Sequence, residues 1–159
     1  ESFRPFAPSI LEENVNEWFE HNGDSPYMLI VADVKNDKII KMTKEENALF
    51  GLEKLNTSRS IIPAVTHVDY SARVQTVHKQ TNSIYHAVIS KFYEKTGCPL
   101  VVNTSFNVRG EPIVCTPSDA FKCFMATELD LLAVGNFLLF KEEQSLELQK
   151  NYENLYDLD

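Results

Sequence analysis

Short apolar runs alternating with segments of helical periodicity constrain this chain more than any other feature. Tyr27–Val34 is a nearly continuous apolar run between Ser25-Pro26 and Lys35-Asn36-Asp37, with the length and flanks of a buried strand. Ile61–Val65 and Ala72–Val77 carry β-branched residues on either side of Thr66-His67-Val68-Asp69-Tyr70-Ser71, which predicts two strands joined by a polar corner. Pro99 opens a further strand over Leu100–Asn103. Leu131–Val134 and Phe137–Phe140 flank Gly135-Asn136 as two short strands or one bent strand. Among the helical segments, Leu11–Glu20 places Val15, Trp18 and Phe19 at helical spacing, and Lys44–Leu55 reads as a charged helix or a long excursion. Ile84, Val88, Ile89 and Phe92 mark one face of a helix ending at Gly97. Thr116-Pro117-Ser118-Asp119 supplies a cap hydroxyl, a proline at the first helical position and a carboxylate at the third, opening a helix that buries Ala120, Phe121 and Phe124. Lys141–Asp159 predicts a polar terminal helix. Alternation of this kind specifies an α/β (α+β) layered domain, a sheet covered by helices, without specifying strand order.

A length of 159 residues suits a single domain, which at this size buries roughly two-thirds of its extended-chain surface. Hydrophobic residues at 43% and charged residues at 24% are ordinary for a globular chain. A net charge of −8 opposes the counterion-release attraction that duplex nucleic acid requires, so no nucleic-acid partner is expected. The apolar runs fall far short of the ~20 residues that span a bilayer, and no membrane partner is expected either. The opening Glu1-Ser2-Phe3-Arg4-Pro5 lacks the order of a secretory signal and reads as the interior of a longer protein. Cys98, Cys115 and Cys123 form an odd set without a C-x-x-C pair; this suits a reducing, cytoplasmic compartment and predicts three packing residues.

Two segments concentrate hydrogen-bonding groups. Asn103-Thr104-Ser105-Phe106-Asn107-Val108-Arg109-Gly110-Glu111-Pro112 follows the end of an apolar strand, where ligands often sit in α/β folds. It is either a binding loop or an Asn/Ser-rich turn that caps its own backbone. Thr66–Gln75 places hydroxyls, His67, Asp69 and Arg73 close together. Arg73 either grips phosphate through its planar fork of donors or pairs with Asp69 on the surface. The other arginines are Arg4, Arg109 and Arg59, the last expected to be solvated. His21, His67, His78 and His86 show no metal-ligand spacing, so no protein-bound metal is expected. No P-loop, G-x-G-x-x-G or G-x-S-x-G occurs, so a nucleotide would have to be held by other means.

The phrases Phe3-Arg4-Pro5-Phe6-Ala7-Pro8-Ser9, Pro63-Ala64-Val65-Thr66-His67-Val68-Asp69, Ala72-Arg73-Val74-Gln75-Thr76-Val77, Asn103-Thr104-Ser105-Phe106-Asn107 and Gly110-Glu111-Pro112-Ile113-Val114 occur in this order. Together they resemble the C-terminal domain of NodU/CmcH-type O-carbamoyltransferases, and the similarity continues to about Lys141. The resemblance implies a YrdC-like twisted mixed sheet over residues 1–141, a polar helix or tail over 142–159, and a separate metal-containing N-terminal domain as partner within the full-length enzyme. It implies binding of ATP with Mg2+ and of carbamoyl phosphate, formation of carbamoyl adenylate, and transfer of the carbamoyl group to a hydroxyl by the other domain. Arg73, Ser105 and Asn107 take the catalytic roles under this resemblance, Ser105-Phe106-Asn107 being similar to an S-x-N phosphate motif. Arg4, Thr66, His67, Asp69, Asn103 and Thr104 take the binding roles. The family's lysine and arginine ahead of the F-R-P-F phrase would lie upstream of Glu1, and Lys35–Ser60 has the length of an insertion. The alternatives are a YrdC-like threonylcarbamoyl-adenylate synthase of tRNA modification and a non-catalytic module of the same fold. The R-P-F-A-P and A-V-T-H-V-D phrases favour the carbamoyltransferase.

Overall fold

The computed structural model describes residues 5–55, 57–108, 110–145 and 147–148. The chain divides into two compact units, Glu1–Thr104 and Ser105–Asp159. The first is built on a mixed four-stranded sheet of β1 (Ala7–Leu11), β2 (Ile30–Asp33), β3 (Ser71–Val77) and β4 (Leu100–Asn103), in the order β2-β3-β1-β4. β1 runs parallel to β3 and antiparallel to β4, and β2 is antiparallel to β3. The mixed sheet with helices matches the fold class expected from the alternation of elements.

β1 is central although Pro8 argues against a strand there, because proline cannot donate to a ladder. Pro8 stands opposite Val102 of β4, one residue before the pairing with β3 begins at Ser9 and Gln75. Its missing N–H thus falls where only one neighbour strand is in register. The pleat then sorts the side chains by face. Ile10, Ala72, Val74 and Leu100 join Val15, Trp18, Phe19, Ile62 and Val65 in the larger core. Leu11 and Val77 point the other way and meet Ile89 of a long helix, with Tyr85, Tyr93 and Val101 packed around them. Each fully buried side chain of the size of Phe19, Ile10 or Ile89 contributes about 1.5–3 kcal/mol by leaving water.

The helices of this unit are α1 (Val15–Trp18), α2 (Lys44–Ala48), α3 (Gly51–Leu55) and α4 (Ser83–Thr96). The helix expected over Leu11–Glu20 is a 3-10 turn, Glu12–Asn14, running into the single turn of α1; it buries Val15 and Trp18, while Phe19 is buried in extended backbone beyond it. Lys44–Leu55 is two short helices. Thr43 and Glu46 close a capping box at the first, and the guanidinium of Arg59 bonds the Lys54 carbonyl at 2.8 Å beyond the second. Arg59 is therefore buried, against the expectation that it would be solvated. Burial of a guanidinium is tolerable here because a carbonyl accepts from it.

Three further expectations are corrected. Tyr27–Val34 is no buried strand: β2 has one neighbour, only Ala32 of its four residues is buried, and Tyr27 and Leu29 are largely exposed beside Met28 at φ +58°. Ile61–Val65 is no strand, since Pro63–Val65 winds into a 3-10 turn. On α4 the buried face runs through Tyr85, Ile89 and Tyr93, spaced by four, so that Ile84, Val88 and Phe92 form an outward apolar stripe. The end of α4 agrees with the sequence: Gly97 is left-handed at φ +73° and donates its N–H to Tyr93 at 2.8 Å. His86 on this helix meets the Glu13 carboxylate at 3.0 and 3.1 Å, tying α4 to the turn after β1.

The second unit packs α5 (Pro117–Met125) on a hairpin of β5 (Leu131–Val134) and β6 (Phe137–Phe140). Ala120, Phe124, Met125 and Leu132 form its core, with Phe106, Phe121 and Leu139 around them. The Thr116–Asp119 capping box forms as the sequence predicts. At the other end, the Lys141 ammonium bonds the Phe124 and Thr127 carbonyls and lies 4.1 Å from the Phe124 ring centroid, where a cation complements the helix dipole. Burial lowers the pKa of this lysine. Lys141–Glu143 is a 3-10 turn, and the rest of the expected terminal helix, beyond Leu148, lies outside the described residues.

A Cβ at Gly97 would meet nothing within 4 Å, so conformation alone decides a substitution there. Gly97→Ala should cost about 1–2 kcal/mol and Gly97→Asn less, read as shifts in the urea midpoint at constant slope.

Candidate functional site

β3 lies between β2 and β1, and its alternation assigns each side chain a task. Ala72 and Val74 enter the core, whereas Ser71, Arg73, Gln75 and Val77 share the opposite face, of which α4 covers the Val77 end. Arg73 is exposed, and no carboxylate lies within ion-pair distance of it among the described residues. Val31 flanks it on β2. On the other side Ser9 pairs with Gln75, so Ala7 falls opposite Arg73 one pleat back, and Ala7 pairs in turn with Asn103. Arg73 and Asn103 therefore stand on one face on either side of a small alanine, roughly 10 Å apart by two strand spacings.

Gln75 organises this row. Its Oε1 accepts from Ser9 Oγ at 2.5 Å and from Asn103 Nδ2 at 2.6 Å, and its Nε2 donates to the Pro26 carbonyl at 3.0 Å. Sequence reasoning missed Gln75 and Ser9. The signal was present in β3, where Ser71, Arg73 and Gln75 recur at every second position, but a polar strand face alone does not say that its members bond across the sheet.

The corner before β3 is held by its own side chains. Thr66 is buried; its hydroxyl donates to the Ile62 carbonyl at 2.9 Å and lies 2.7 Å from Ser60 Oγ, so it fixes the corner rather than presenting itself to a ligand. Asp69 Oδ1 accepts from Ser71 Oγ at 2.7 Å and from Ser71 N–H at 3.1 Å. These two bonds hold the Asp69 carboxyl below the usual carboxylate range. Asp69 thus serves Ser71, and the surface pair with Arg73 does not form. His67 Nδ1 lies 2.9 Å from Ser71 Oγ, its backbone N–H reaches the Ser71 carbonyl at 2.7 Å, and Tyr70 sits at φ +66°, an uncommon conformation for a bulky residue.

The remaining candidates fall elsewhere. Thr104, at the end of the first unit, and Ser105, at the start of the second, are both exposed. In the second unit Asn107 spends both amide hydrogens on the Val108 and Glu111 carbonyls, at 3.2 and 3.0 Å, so this turn caps its own backbone. Buried Glu111, unforeseen from the sequence, accepts from Val108 N–H at 3.0 Å. Burial first, and then a hydrogen bond to Glu111, push the Cys123 thiol up to about 12. Cys115, by contrast, is exposed rather than packed. Arg4 and Arg109 lie outside the described residues.

One trio with metal-ligating atoms comes together among the described residues: Glu12, Asp24 and His78, all within 4.8 Å. The carboxylates approach opposite ring nitrogens, Glu12 at Nδ1 and Asp24 at Nε2, at 3.6 and 3.7 Å, while Thr76 Oγ1 lies 3.1 Å from Nε2.

The profile of the family described as carbamoyltransferase C-terminus matches residues 1–141. An uncharacterized protein, sll1178, of Synechocystis is 54% identical over the whole chain, which covers 26% of its length. Nodulation protein NolNO of Sinorhizobium fredii is 41% identical over 92% of the chain and 19% of its own length. The 3'-hydroxymethylcephem-O-carbamoyltransferase of Amycolatopsis lactamdurans is 32% identical over 75% of the chain and 19% of its own length. The chain thus spans about a quarter or less of these curated relatives.

Two outcomes follow from the local electrostatics. The contribution of Asp69 to stability is present above its unfolded pKa and lost as pH falls through its lowered folded value. Ser71→Ala should raise that folded value toward the ordinary carboxylate range in a carboxyl-carbon NMR titration. With native protein near pH 8, a thiol reagent should modify Cys115 and leave Cys123 intact until the chain is denatured.

Proposed function

Because this chain belongs to the carbamoyltransferase C-terminus family, we propose that it is the part of an O-carbamoyltransferase that binds ATP and carbamoyl phosphate and forms carbamoyl adenylate. The observation that carries this is Arg73, an exposed guanidinium without an ion-pair partner among the described residues, on a sheet face that also presents Ser71, Gln75 and Asn103; the one carboxylate that β2 adds to this face, Asp33, stands opposite Ser71 and forms no ion pair with Arg73. In a chain of net charge −8, a cation left free beside amides is suited to an anion.

The chemistry asked of it is modest. Water first cleaves carbamoyl phosphate to carbamate and inorganic phosphate; a carbamate oxygen then attacks the α-phosphorus of ATP, the new oxygen–phosphorus bond gives carbamoyl adenylate, and the bond to pyrophosphate breaks. Negative charge gathers on the phosphoryl oxygens in the transition state, and a fixed guanidinium stabilises it without reorganising. Mg2+ would enter with the nucleotide, bound to its phosphate oxygens, and supply further charge neutralisation. Asn103, oriented by Gln75, retains a second amide hydrogen for a ligand oxygen. Thr104 offers a hydroxyl at the end of the same unit, whereas in the second unit Asn107 acts by holding its turn.

Transfer of the carbamoyl group to a hydroxyl of a sugar or natural product belongs to the remainder of a full-length protein in this proposal. The named O-carbamoyltransferase relatives favour it over a threonylcarbamoyl-adenylate synthase and over a non-catalytic module.

Calorimetric titration of the chain with ATP, carbamoyl phosphate and Mg2+, alongside thermal melting, tests this reading. Arg73→Ala should weaken binding of the anions about ten- to a hundredfold, the equivalent of roughly 1.5–3 kcal/mol for one charged hydrogen bond, with no loss of thermal stability. Asn107→Ala should do the reverse, lowering the melting temperature with little change in affinity. Unchanged affinity in Arg73→Ala would remove Arg73 from the site.

A further inference from the structure

A count of protons at the corner before β3 determines which nitrogen of His67 faces outward. Ser71 Oγ has one hydrogen, and it goes to Asp69 Oδ1 at 2.7 Å. Asp69, held ionised by that bond and by the Ser71 N–H, has no proton to return. Ser71 Oγ can therefore only accept from His67 Nδ1, 2.9 Å away, so Nδ1 carries the hydrogen. Neutral His67 then bears a bare lone pair on Nε2, which has no hydrogen-bond partner among the described residues, and the ring is half-buried. Ser71 and Arg73 project from the same face two residues apart, roughly 7 Å along the strand. The imidazole anchored on Ser71 is thus two strand positions from the exposed guanidinium of Arg73, on a face where Asp33 stands opposite Ser71.

We infer that His67 is a specificity-determining residue: its Nε2 accepts a hydrogen bond from the amino group of carbamoyl phosphate while Arg73 holds the phosphate. This rests on the anion-binding role proposed for Arg73 and adds the group that tells a carbamoyl from other acyl phosphates. Carbamoyl phosphate carries an N–H donor beside its carbonyl. Acetyl phosphate has a methyl there, and inorganic phosphate has no such limb. An acceptor aimed at a substrate N–H discriminates because the analogue leaves it unpaired once water is displaced. Ser71 and Asp69 are positioning residues in this scheme, since they set the tautomer without touching the ligand.

The experiment compares carbamoyl phosphate, acetyl phosphate and inorganic phosphate by calorimetry on the 159-residue chain, with nitrogen-15 NMR of the histidine ring as a readout independent of ligand. Wild type should prefer carbamoyl phosphate over acetyl phosphate by about tenfold or more, the worth of one hydrogen bond. His67→Ala should erase that preference while leaving inorganic phosphate affinity in place, and His67→Gln, whose amide oxygen reaches toward the position of Nε2, should keep part of it. NMR should show Nδ1 protonated in wild type and a mixture of tautomers in Ser71→Ala. Equal binding of the two acyl phosphates, a preference that survives His67→Ala, or an Nε2–H tautomer would each overturn the inference. Inorganic phosphate that binds no worse to Arg73→Ala, or does not bind at all, would instead sink the role of Arg73, and the inference with it.

Discussion

The pairing of β3 with β1 on one side and β2 on the other is the constraint on which the first unit depends. A strand with neighbours on both edges has no freedom of register, because a slip of one residue would carry Ala72 and Val74 out of the core and bring Arg73 into it. The core therefore determines the placement of the polar side chains as firmly as that of the apolar ones. Arg73 is exposed because its neighbours are buried.

Polar groups close to this face are mostly spent on the fold itself, and this separates structural from available residues. Thr66, Asp69 and Gln75 each have internal partners, and in the second unit Asn107 and Glu111 do likewise. Burial without such bonds would cost a few kcal/mol for each group, so a dense local network is what a polar corner beside a strand requires. Against that background an unspent donor or acceptor is informative. Arg73 and the outward nitrogen of His67 have no such partners among the described residues.

Elements with local signals were legible in the sequence. The capping box at Thr116 and Asp119, Gly97 at the end of α4 and the Gly135-Asn136 hairpin depend on nearby residues and each forms as read; the strand Leu100–Asn103 was also legible, from Pro99 and its apolar run, although its ladder partner is β1. Elements decided by distant partners were not legible. β1 escaped notice because Pro8 discourages a strand unless the neighbours leave room for it, and Tyr27–Val34 looked buried because an apolar run does not reveal that it lies at an edge. Arg59 was misplaced although its partner, the Lys54 carbonyl, is nearby in sequence, because residue order does not show that the chain after α3 folds the guanidinium back onto that carbonyl.

The ordered phrases from Phe3 to Val114 were sufficient to identify the family, and the alternation of apolar runs was sufficient for a mixed α/β class, because both are properties of the chain written in one dimension. They also drew attention to Arg73 and His67. Only the tertiary structure decided what those residues can do. The sequence allowed Arg73 to pair with Asp69; the fold turned Asp69 toward Ser71, and that bond both released the arginine and assigned the proton on His67. Hydrogen bonds are satisfied once each, and which partner takes a given proton is a matter of distance and direction in space, which residue order does not encode.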